Sequence, residues 1–356
     1  MAILDNLQKL VECESPTENL DACRKVVALA ADITKEVLNQ SAEVLEENGR
    51  PIYWLGSKNP AIVLLAHLDT VWPIGSFKPT WKVEGDIAFG PGTFDMKAGF
   101  LQALYALKEI SLDSVALIAT TDEEVGSQTS KDLIMKISKS AQAVLVLEAS
   151  LGGKVKTGRK GTAMYQVIVT GLASHAGLEP EKGVNATVEI AHQISELIAL
   201  ENKSAGTTVV PTTVKSGTTT NTVPAEAILD VDVRSFAQSE LQRVDSAIKN
   251  LKPRLTGAKI AITGGINRPP LEESSTKDLY DLLEKSAKKI GLDVIGNARV
   301  GGASDGNFAA AAGARVLDGL GAIGDGAHAP HEQVSIKGMD RQVKLLNQFV
   351  KDLLSE

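Results

Sequence analysis

Short apolar runs, separated by longer helical patterns, constrain this 356-residue chain more than any other feature. Four runs are almost wholly apolar, as in strands buried on both faces of a sheet, and they span residues 62–66, 115–120, 143–147 and 315–317. Helical patterns alternate with them, near residues 20–36, 97–109, 131–137 and 276–290. This alternation predicts an α/β fold with a mixed, mostly parallel sheet flanked by helices.

The middle of the chain follows another pattern. Between residues 161 and 268 the segments alternate polar and apolar residues around a helical stretch, in a β-α-β-β-like order. That order predicts a smaller α+β, ferredoxin-like domain inserted into the larger one. We therefore assign residues 1–160 and 269–356 to the large domain and residues 161–268 to the insert.

The charge of the chain excludes two classes of partner. A formal net charge of −7 argues against binding to nucleic acid or to an anionic membrane, since both need a basic face. No apolar run reaches the roughly 18 residues of a membrane span. The N-terminal segment has an early Asp and no basic region typical of a secretory signal, so we expect a cytoplasmic protein.

The predicted strands end in residues that a buried strand does not need. Imidazole or carboxylate groups follow three of the strands, and two further such groups stand in turns: His67, Glu124, Glu148, Asp95 and His328. In an open α/β sheet the ligand crevice lies at the carboxyl ends of the strands. We therefore expect these side chains to converge on one rim of the sheet.

Such a convergence indicates a metal site. Carboxylates are too costly to bury together without a compensating charge, and divalent cations supply it. Five candidate ligands are too many for one tetrahedral ion, but they suit two ions that share a carboxylate. Cys13 and Cys23 are too few for a thiolate site. Asp69, two residues beyond His67 on the same strand face, can orient its imidazole, and Glu123 is the natural general base.

Seven motifs carry a resemblance to a known family. In order they read HLDTVWP, GPGTFDMKAG, TTDEEVGS, LEAS, SHAG, GGASDGNF and GAHAPHE. This series resembles the M20 family of di-zinc metallopeptidases from about residue 5 to residue 352. HLDTVWP and the segment around SHAG are most similar to the glutamate carboxypeptidase (carboxypeptidase G2-like) branch.

The resemblance implies a role for each candidate in the large domain. Asp95 would bridge two zinc ions, for which cobalt or manganese could substitute; His67 and Glu148 would complete one site, and Glu124 and His328 the other. Asp69 would orient His67, and Glu123 would move a proton from the attacking water to the leaving amine. The family also implies a cis peptide bond between Asp95 and Met96.

In the insert, the resemblance implies a dimerisation lid. His175 would reach the active site of a second subunit and stabilise the oxyanion, so a homodimer is expected. Asn221 and Arg234 would bind substrate. For Arg234 the expected group is a carboxylate, because the planar guanidinium can pair with both of its oxygens. Ser304, in the large domain, would stand in a substrate-facing turn, although a plain loop remains open.

His331 is not expected to be a ligand. The family's histidine precedes an acidic residue by four positions, and His328 with Glu332 has that spacing.

Three functions remain open at this stage. The favoured one is a di-zinc carboxypeptidase that releases a C-terminal amino acid, with glutamate as the first candidate, from a small N-acyl or peptide substrate. The second is an N-acyl-amino-acid deacylase that uses the same machinery. The third is a binding protein on the same fold that has no catalytic activity.

Overall fold

The computed structural model describes residues 2–356. The α-helices are α1 Ala2–Glu12, α2 Leu20–Leu38, α3 Ala98–Ala106, α4 Lys131–Ser140, α5 Ala186–Ile198, α6 Gln238–Lys249, α7 Lys277–Lys289, α8 Asp305–Ala311 and α9 Ile336–Leu353. The strands are β1 Glu43–Glu47, β2 Arg50–Gly56, β3 Ile62–His67, β4 Lys82–Glu84, β5 Ile87–Phe89, β6 Val115–Thr120, β7 Ala143–Val146, β8 Val155–Arg159, β9 Gly161–Thr170, β10 Thr208–Ser216, β11 Glu226–Ser235, β12 Lys259–Arg268, β13 Asn297–Val300, β14 Val316–Leu317, β15 Gly324–Asp325 and β16 Gln333–Ser335.

The main sheet has six strands in the order β1-β2-β6-β3-β7-β14. The pairings β6-β3, β3-β7 and β7-β14 are parallel, whereas β1 and β2 extend the sheet by antiparallel pairing. The predicted mixed, mostly parallel α/β sheet is therefore confirmed. All four apolar runs form strands of this sheet.

Both faces of the main sheet are covered by helices, which explains why its central strands are apolar throughout. On β3, Leu64 and Ala66 belong to the core that α1, α2, α3 and α9 share, while Val63 and Leu65 face α4 and α8. Successive side chains of a strand point to opposite faces, so each strand contributes to both cores. The positions of the strands are therefore set by packing on both faces.

The chain divides into two compact units. One comprises Met1–Gly158, Leu271–Val300 and Ser304–Glu356, and the other comprises Arg159–Pro270 with Gly301–Ala303. The second unit contains an antiparallel sheet in the order β10-β11-β9-β12 and the helices α5 and α6. Along β11 every second residue is buried, and these residues join the helices in a separate core.

Within residues 2–356, none of the helices combines the length and the apolar character needed to cross a bilayer.

Candidate metal centre

His67 ends β3, and its imidazole is almost fully buried. The ring nitrogen Nδ1 lies 3.1 Å from the backbone oxygen of Asp69 and 3.4 Å from its Oδ1. Since both neighbours are acceptors, we assign the proton of the neutral ring to Nδ1. Nε2 then faces Oδ1 of Asp95 at 3.2 Å and Oε1 of Glu148 at 3.7 Å. This is the tautomer that a metal-bound histidine needs.

Asp95 lies between two imidazoles. Its Oδ1 is 3.2 Å from Nε2 of His67, and its Oδ2 is 3.5 Å from Nε2 of His328. The expected cis bond between Asp95 and Met96 is present in the turn that precedes α3. One carboxylate thus reaches both halves of the cluster.

Glu123 and Glu124 stand on a single 3₁₀ turn directly after β6. Oε2 of Glu124 lies 3.0 Å from Nε2 of His328. The backbone N–H of Glu124 donates to Oδ2 of Asp69 at 3.2 Å. Asp69 therefore contacts both the histidine that ends β3 and the turn that follows β6.

His328 reaches the cluster from a loop between β15 and β16. Its φ of 59° places it in the left-handed region, and about half of its side chain is exposed. His331 is also exposed, and its Nε2 lies 3.7 Å from Oδ2 of Asp325, an exposed carboxylate. Of these two histidines, His328 is the one near the predicted ligands.

The predicted ligands and the predicted base therefore lie together. Ligand atoms of His67, Asp95 and Glu124 lie within 4.8 Å of one another, and so do those of His67, Glu123 and Glu148. We call these side chains and His328 the donor cluster.

The donor cluster offers imidazole nitrogen and carboxylate oxygen, the set that zinc, cobalt and manganese accept. A second observation fits such an ion. Oδ1 of Asp69 is buried without a hydrogen bond of regular geometry, although Nδ1 of His67 is 3.4 Å away. This acceptor is placed to hold the proton of His67 on Nδ1, which leaves Nε2 available to an ion.

The charges in the cluster are strongly coupled. Burial would lower the pKa of His67, but its hydrogen bonds with Asp69 and Asp95 outweigh burial and raise that pKa well above its usual value. Hydrogen bonds with Asp95 and Glu124 raise the pKa of His328 to about 10. Burial, joined by repulsion from Asp95, raises the pKa of Glu124 to about 7. The cluster therefore retains protons that a divalent cation would displace.

Asp95 behaves differently from its neighbour Glu124. Burial opposes its charge, but hydrogen bonds with His328 and His67 outweigh burial and hold the pKa of Asp95 far below its usual range. When two carboxylates share a site, one keeps the charge and the other takes the proton. Asp95 is the one that keeps the charge.

Glu332 holds the turn that carries Asp95. Its buried carboxylate accepts hydrogen bonds from the backbone N–H groups of Gly92 at 2.9 Å, Phe94 at 2.9 Å and Asp95 at 3.1 Å, and from Nε1 of Trp72 at 3.0 Å. The sequence pattern indicates only the spacing between His328 and Glu332 and does not indicate this function. Its position four residues past a candidate ligand was the available signal.

Asp122 fixes the chain beyond the Glu123–Glu124 turn in the same way. It is buried and accepts from the backbone N–H groups of Thr129 at 2.7 Å and Ser130 at 3.2 Å, and from both of their hydroxyls. The sequence does not indicate this function, because Asp122, Glu123 and Glu124 are consecutive acidic residues of the one motif TTDEEVGS.

Ser304 is fully buried and has a structural function. Its hydroxyl donates to Oδ2 of Asp318 at 2.6 Å and accepts from the N–H of Gly306 at 3.1 Å, and with Asn307 it forms a capping box at the start of α8. A hydroxyl that is inaccessible and engaged on both sides has no capacity for a substrate. The predicted substrate contact of Ser304 is therefore not supported.

In the second unit, His175 is exposed, and its Nδ1 accepts from the backbone N–H groups of Gly177 and Leu178, both at 3.1 Å. A neutral ring held this way carries its proton on Nε2, so it presents a hydrogen-bond donor to solvent. Asn221 is exposed close by, since its backbone oxygen accepts from the N–H of Ala176 at 2.9 Å.

Arg234 is already paired. Its Nε lies 2.9 Å from Oδ1 of Asp232, its Nη2 lies 3.2 Å from Oδ2 of the same carboxylate, and its Nη1 donates to the backbone oxygen of Gly301 at 3.3 Å. Its side chain is partly exposed. A substrate carboxylate would therefore compete with Asp232 for the guanidinium.

Comparisons with known proteins find one matching family and several similar chains. Residues 63–352 match the family described as peptidase family M20/M25/M40. The chain is 32 % identical to carboxypeptidase G2 of Pseudomonas sp. (strain RS-16) over 380 residues, covering 99 % of this chain and 89 % of that protein. It is 26 % identical to a succinyl-diaminopimelate desuccinylase of Sulfurovum sp. (strain NBC37-1), with 99 % of each chain covered.

A solved structure shares the fold. A tripeptidase from Staphylococcus aureus superposes with a TM-score of 0.77 at 21 % identity, covering 99 % of this chain and 98 % of that one.

Proposed function

This chain belongs to peptidase family M20/M25/M40, and from that premise we propose that it releases a C-terminal amino acid, with glutamate as the first candidate, from a small N-acyl or peptide substrate by zinc-dependent hydrolysis. The observation that carries the proposal is the donor cluster, in which two imidazoles and four carboxylates from segments far apart in the sequence lie together.

The donor set fits two zinc ions that share Asp95. His67 and Glu148 would hold one ion, and Glu124 and His328 the other, with cobalt or manganese as substitutes. When bound, such ions supply a Lewis acid for the amide carbonyl and lower the pKa of a coordinated water.

Glu123 is the residue that would transfer the proton. A carboxylate beside the attacking water can accept its proton and then donate it to the amine that leaves, so one residue serves both half-steps. Asp69 would keep His67 in the required tautomer, which makes it a positioning residue. Proton transfer by Glu123 and ligation by Glu124 both require a fixed turn after β6. Asp69 and Asp122 hold this turn through hydrogen bonds to backbone N–H groups.

The second unit would supply the remaining contacts. An exposed Nε2–H on His175 suits a developing oxyanion, and we propose that it acts in the site of a second subunit, in a homodimer formed through residues 161–268. Asn221 and Arg234 would bind the substrate, Arg234 through its carboxylate. Asp232 already binds Nε and Nη2 of the guanidinium, so a substrate carboxylate would have to replace it. A carboxylate that binds both nitrogens at once would compete best.

The relatives favour two substrate types. The similarity to carboxypeptidase G2 supports carboxypeptidase activity. The similarity to the desuccinylases supports removal of an acyl group from an amino acid. Both cleave an amide next to an amino acid, so the site chemistry is shared. The higher identity, 32 % against 26 %, supports carboxypeptidase activity as the first candidate.

The test compares zinc-loaded wild type with Glu123→Gln on peptides and N-acyl amino acids that differ at the C-terminal residue. We expect wild type to release one residue type preferentially, and the variant to bind zinc but lose at least about 10²-fold in kcat. Glu46→Gln, at an exposed position on β1, is the matched control.

Cleavage confined to short acyl groups on many amino acids would establish the deacylase instead. A zinc-loaded wild type that cleaves nothing would support the binding protein.

A further inference from the structure

The turn that carries Glu123 and Glu124 is followed by two residues with left-handed backbone. Gly126 has a φ of 94°, and Ser127 has a φ of 55°. Glycine adopts this conformation readily, but serine rarely does, because its Cβ crowds the backbone there. A residue held in such a conformation needs contacts that outweigh the strain, and such residues are concentrated at functional sites. The contacts of Ser127 therefore bear on the function of the turn before it.

Ser127 is held through both its backbone and its side chain. Its backbone N–H donates to the backbone oxygen of Asp122 at 2.7 Å, which closes the turn. Its buried hydroxyl donates to Oδ1 of Asp305, the first residue of α8. The first contact fixes the path of the chain, and the second ties that chain to another element of the fold.

The carboxylate of Asp305 contacts both ends of the segment that carries the two glutamates. Besides the hydroxyl of Ser127, it binds the hydroxyl of Thr120, which donates to Oδ2 at 3.4 Å. Thr120 is the last residue of β6, so residues 121–126 lie between the two contacts. Thr120, Ser127 and Asp305 are 0 %, 0 % and 3 % exposed, and water therefore does not compete for these hydrogen bonds.

Asp305 stands on an element that is itself fixed. Phe308 and Ala309 of α8 are buried in the core on one face of the main sheet. The position of α8 is thereby passed through one carboxylate to the segment between Thr120 and Ser127. Catalytic groups depend on such support, since a displacement of about 1 Å can cost about 10²-fold in rate.

We propose that Asp305 is a positioning residue for proton transfer: by binding the segment at both ends, it sets the place of the Glu123 carboxylate relative to the donor cluster. The inference rests on the proposed function, in which Glu123 is the general base. It predicts a defect in the chemical step rather than in substrate binding, because Asp305 is buried and acts through Glu123.

The first test is a double-mutant cycle of Asp305→Asn and Glu123→Gln in the zinc-saturated full chain, on the peptide or N-acyl amino acid that wild type cleaves fastest. We expect Asp305→Asn alone to lower kcat by about tenfold with little change in KM. In the Glu123→Gln background it should lower the residual kcat by less than about twofold, because the group it positions is already lost. Equal losses in both backgrounds would overturn the proposal.

Asp278→Asn is the matched control for Asp305→Asn. Asp278 also stands in the first turn of a helix, α7, but its side chain is exposed. This substitution should leave both kcat and KM at their wild-type values.

A second variant covers the case in which Asp305→Asn misfolds. Ser127→Gly permits the left-handed backbone and removes the hydroxyl that binds Asp305. We expect the same selective loss of kcat, about tenfold. Asn39→Gly is its matched control, because Asn39 is exposed directly after α2 and has the same φ of 55°. Wild-type kcat in Ser127→Gly would show that the hydroxyl contact does not position the base.

Amide hydrogen exchange separates failure of this inference from failure of the proposed function, because it needs no turnover. The N–H groups of Gly126 and Ser127 donate to the backbone oxygens of Glu123 and Asp122. We expect Asp305→Asn to speed the exchange of these two amides by about tenfold, while the amides of α7 exchange at their wild-type rates.

The combined results give distinct outcomes. If wild type cleaves no substrate but the two amides exchange faster in Asp305→Asn, the proposed function fails and the support by Asp305 stands. If wild type is active while Asp305→Asn changes neither kcat nor exchange, the inference fails and the proposed function stands. An inactive wild type with unchanged exchange in the variant would overturn both.

Discussion

Asp69 accepts a hydrogen bond from the backbone N–H of Glu124 through its Oδ2, at 3.2 Å. The same carboxylate faces Nδ1 of His67 with its other oxygen, and Thr17 donates its hydroxyl to Oδ2 at 2.8 Å. One fully buried side chain therefore sets the position of two predicted ligands, one at the end of β3 and the other in the turn that follows β6.

Replacing Asp69 by Asn should lower zinc affinity or kcat/KM by about 10–100-fold, the usual effect of losing the carboxylate behind a metal-bound histidine. An amide retains the shape but gives His67 a weaker acceptor and permits the wrong tautomer. Zinc titration and steady-state kinetics measure the effect. The control is Asp32→Asn, at an exposed position of α2. Wild-type affinity and kinetics in Asp69→Asn would contradict the assigned function of Asp69.

Replacing Glu332 by Gln should weaken metal binding and destabilise the metal-free protein by about 1–3 kcal/mol. An amide has one accepting oxygen, so its NH₂ group would face some of the three backbone donors at Gly92, Phe94 and Asp95. Denaturant unfolding and zinc titration check both effects. Glu46→Gln serves as control, and a stable variant with full zinc affinity would show that Glu332 does not hold the turn.

The main sheet and the ligands that follow its strands could be predicted from the sequence because both depend on strand burial. Asp95 and His328 stand in turns, and the motifs of the family indicated them instead. The five apolar residues of β3 must be covered on both faces, and the histidine that ends the strand then lies at the rim of the sheet. Glu332 and Asp122 could not be assigned in this way. Their partners are backbone N–H groups in irregular turns, and no residue pattern encodes those.

Two assignments of side-chain function depended on local contacts that the sequence analysis did not weigh. Ser304 is the N-cap of α8 and forms a capping box with Asn307, and a serine directly before a helix is a capping signal that a sequence can show. Asp232 lies two residues before Arg234 and on the same strand face, so its pairing with the guanidinium also follows from strand geometry.

Metal binding should release protons, and its affinity should rise with pH. In the metal-free protein the pKa of His328 is raised to about 10 by Asp95 and Glu124, and burial raises that of Glu124 to about 7. Both groups must lose their protons to become ligands, so between pH 6 and 8 metal binding competes with protonation. Zinc calorimetry in buffers of different ionisation enthalpy measures the protons released. A pH-independent affinity would contradict this coupling.

Asp352 links α9 to α7, and its loss should destabilise the chain in a pH-dependent way. Its Oδ1 lies 2.7 Å from Nζ of Lys289, and its Oδ2 accepts from the hydroxyl of Ser286 at 2.7 Å. Burial opposes the charge, but hydrogen bonds from Lys289 and Ser286 outweigh it and lower the pKa of Asp352. A carboxyl whose pKa is lower in the folded state stabilises the fold above its unfolded pKa, near 3.9, and loses that effect as the pH falls through its folded pKa.

Asp352→Asn should therefore cost about 1–3 kcal/mol at pH 7, because a hydrogen-bonded charge is lost from a largely buried position. The difference from wild type should shrink progressively below about pH 4. Urea unfolding followed by tryptophan fluorescence reports on the compact unit that contains α7 and α9, since Trp54, Trp72 and Trp81 all belong to that unit. Asp293→Asn, at an exposed loop position after α7, should leave the unfolding free energy unchanged at either pH. A constant difference between Asp352→Asn and wild type from pH 7 to pH 3 would mean that the ionised carboxylate is not what joins the two helices.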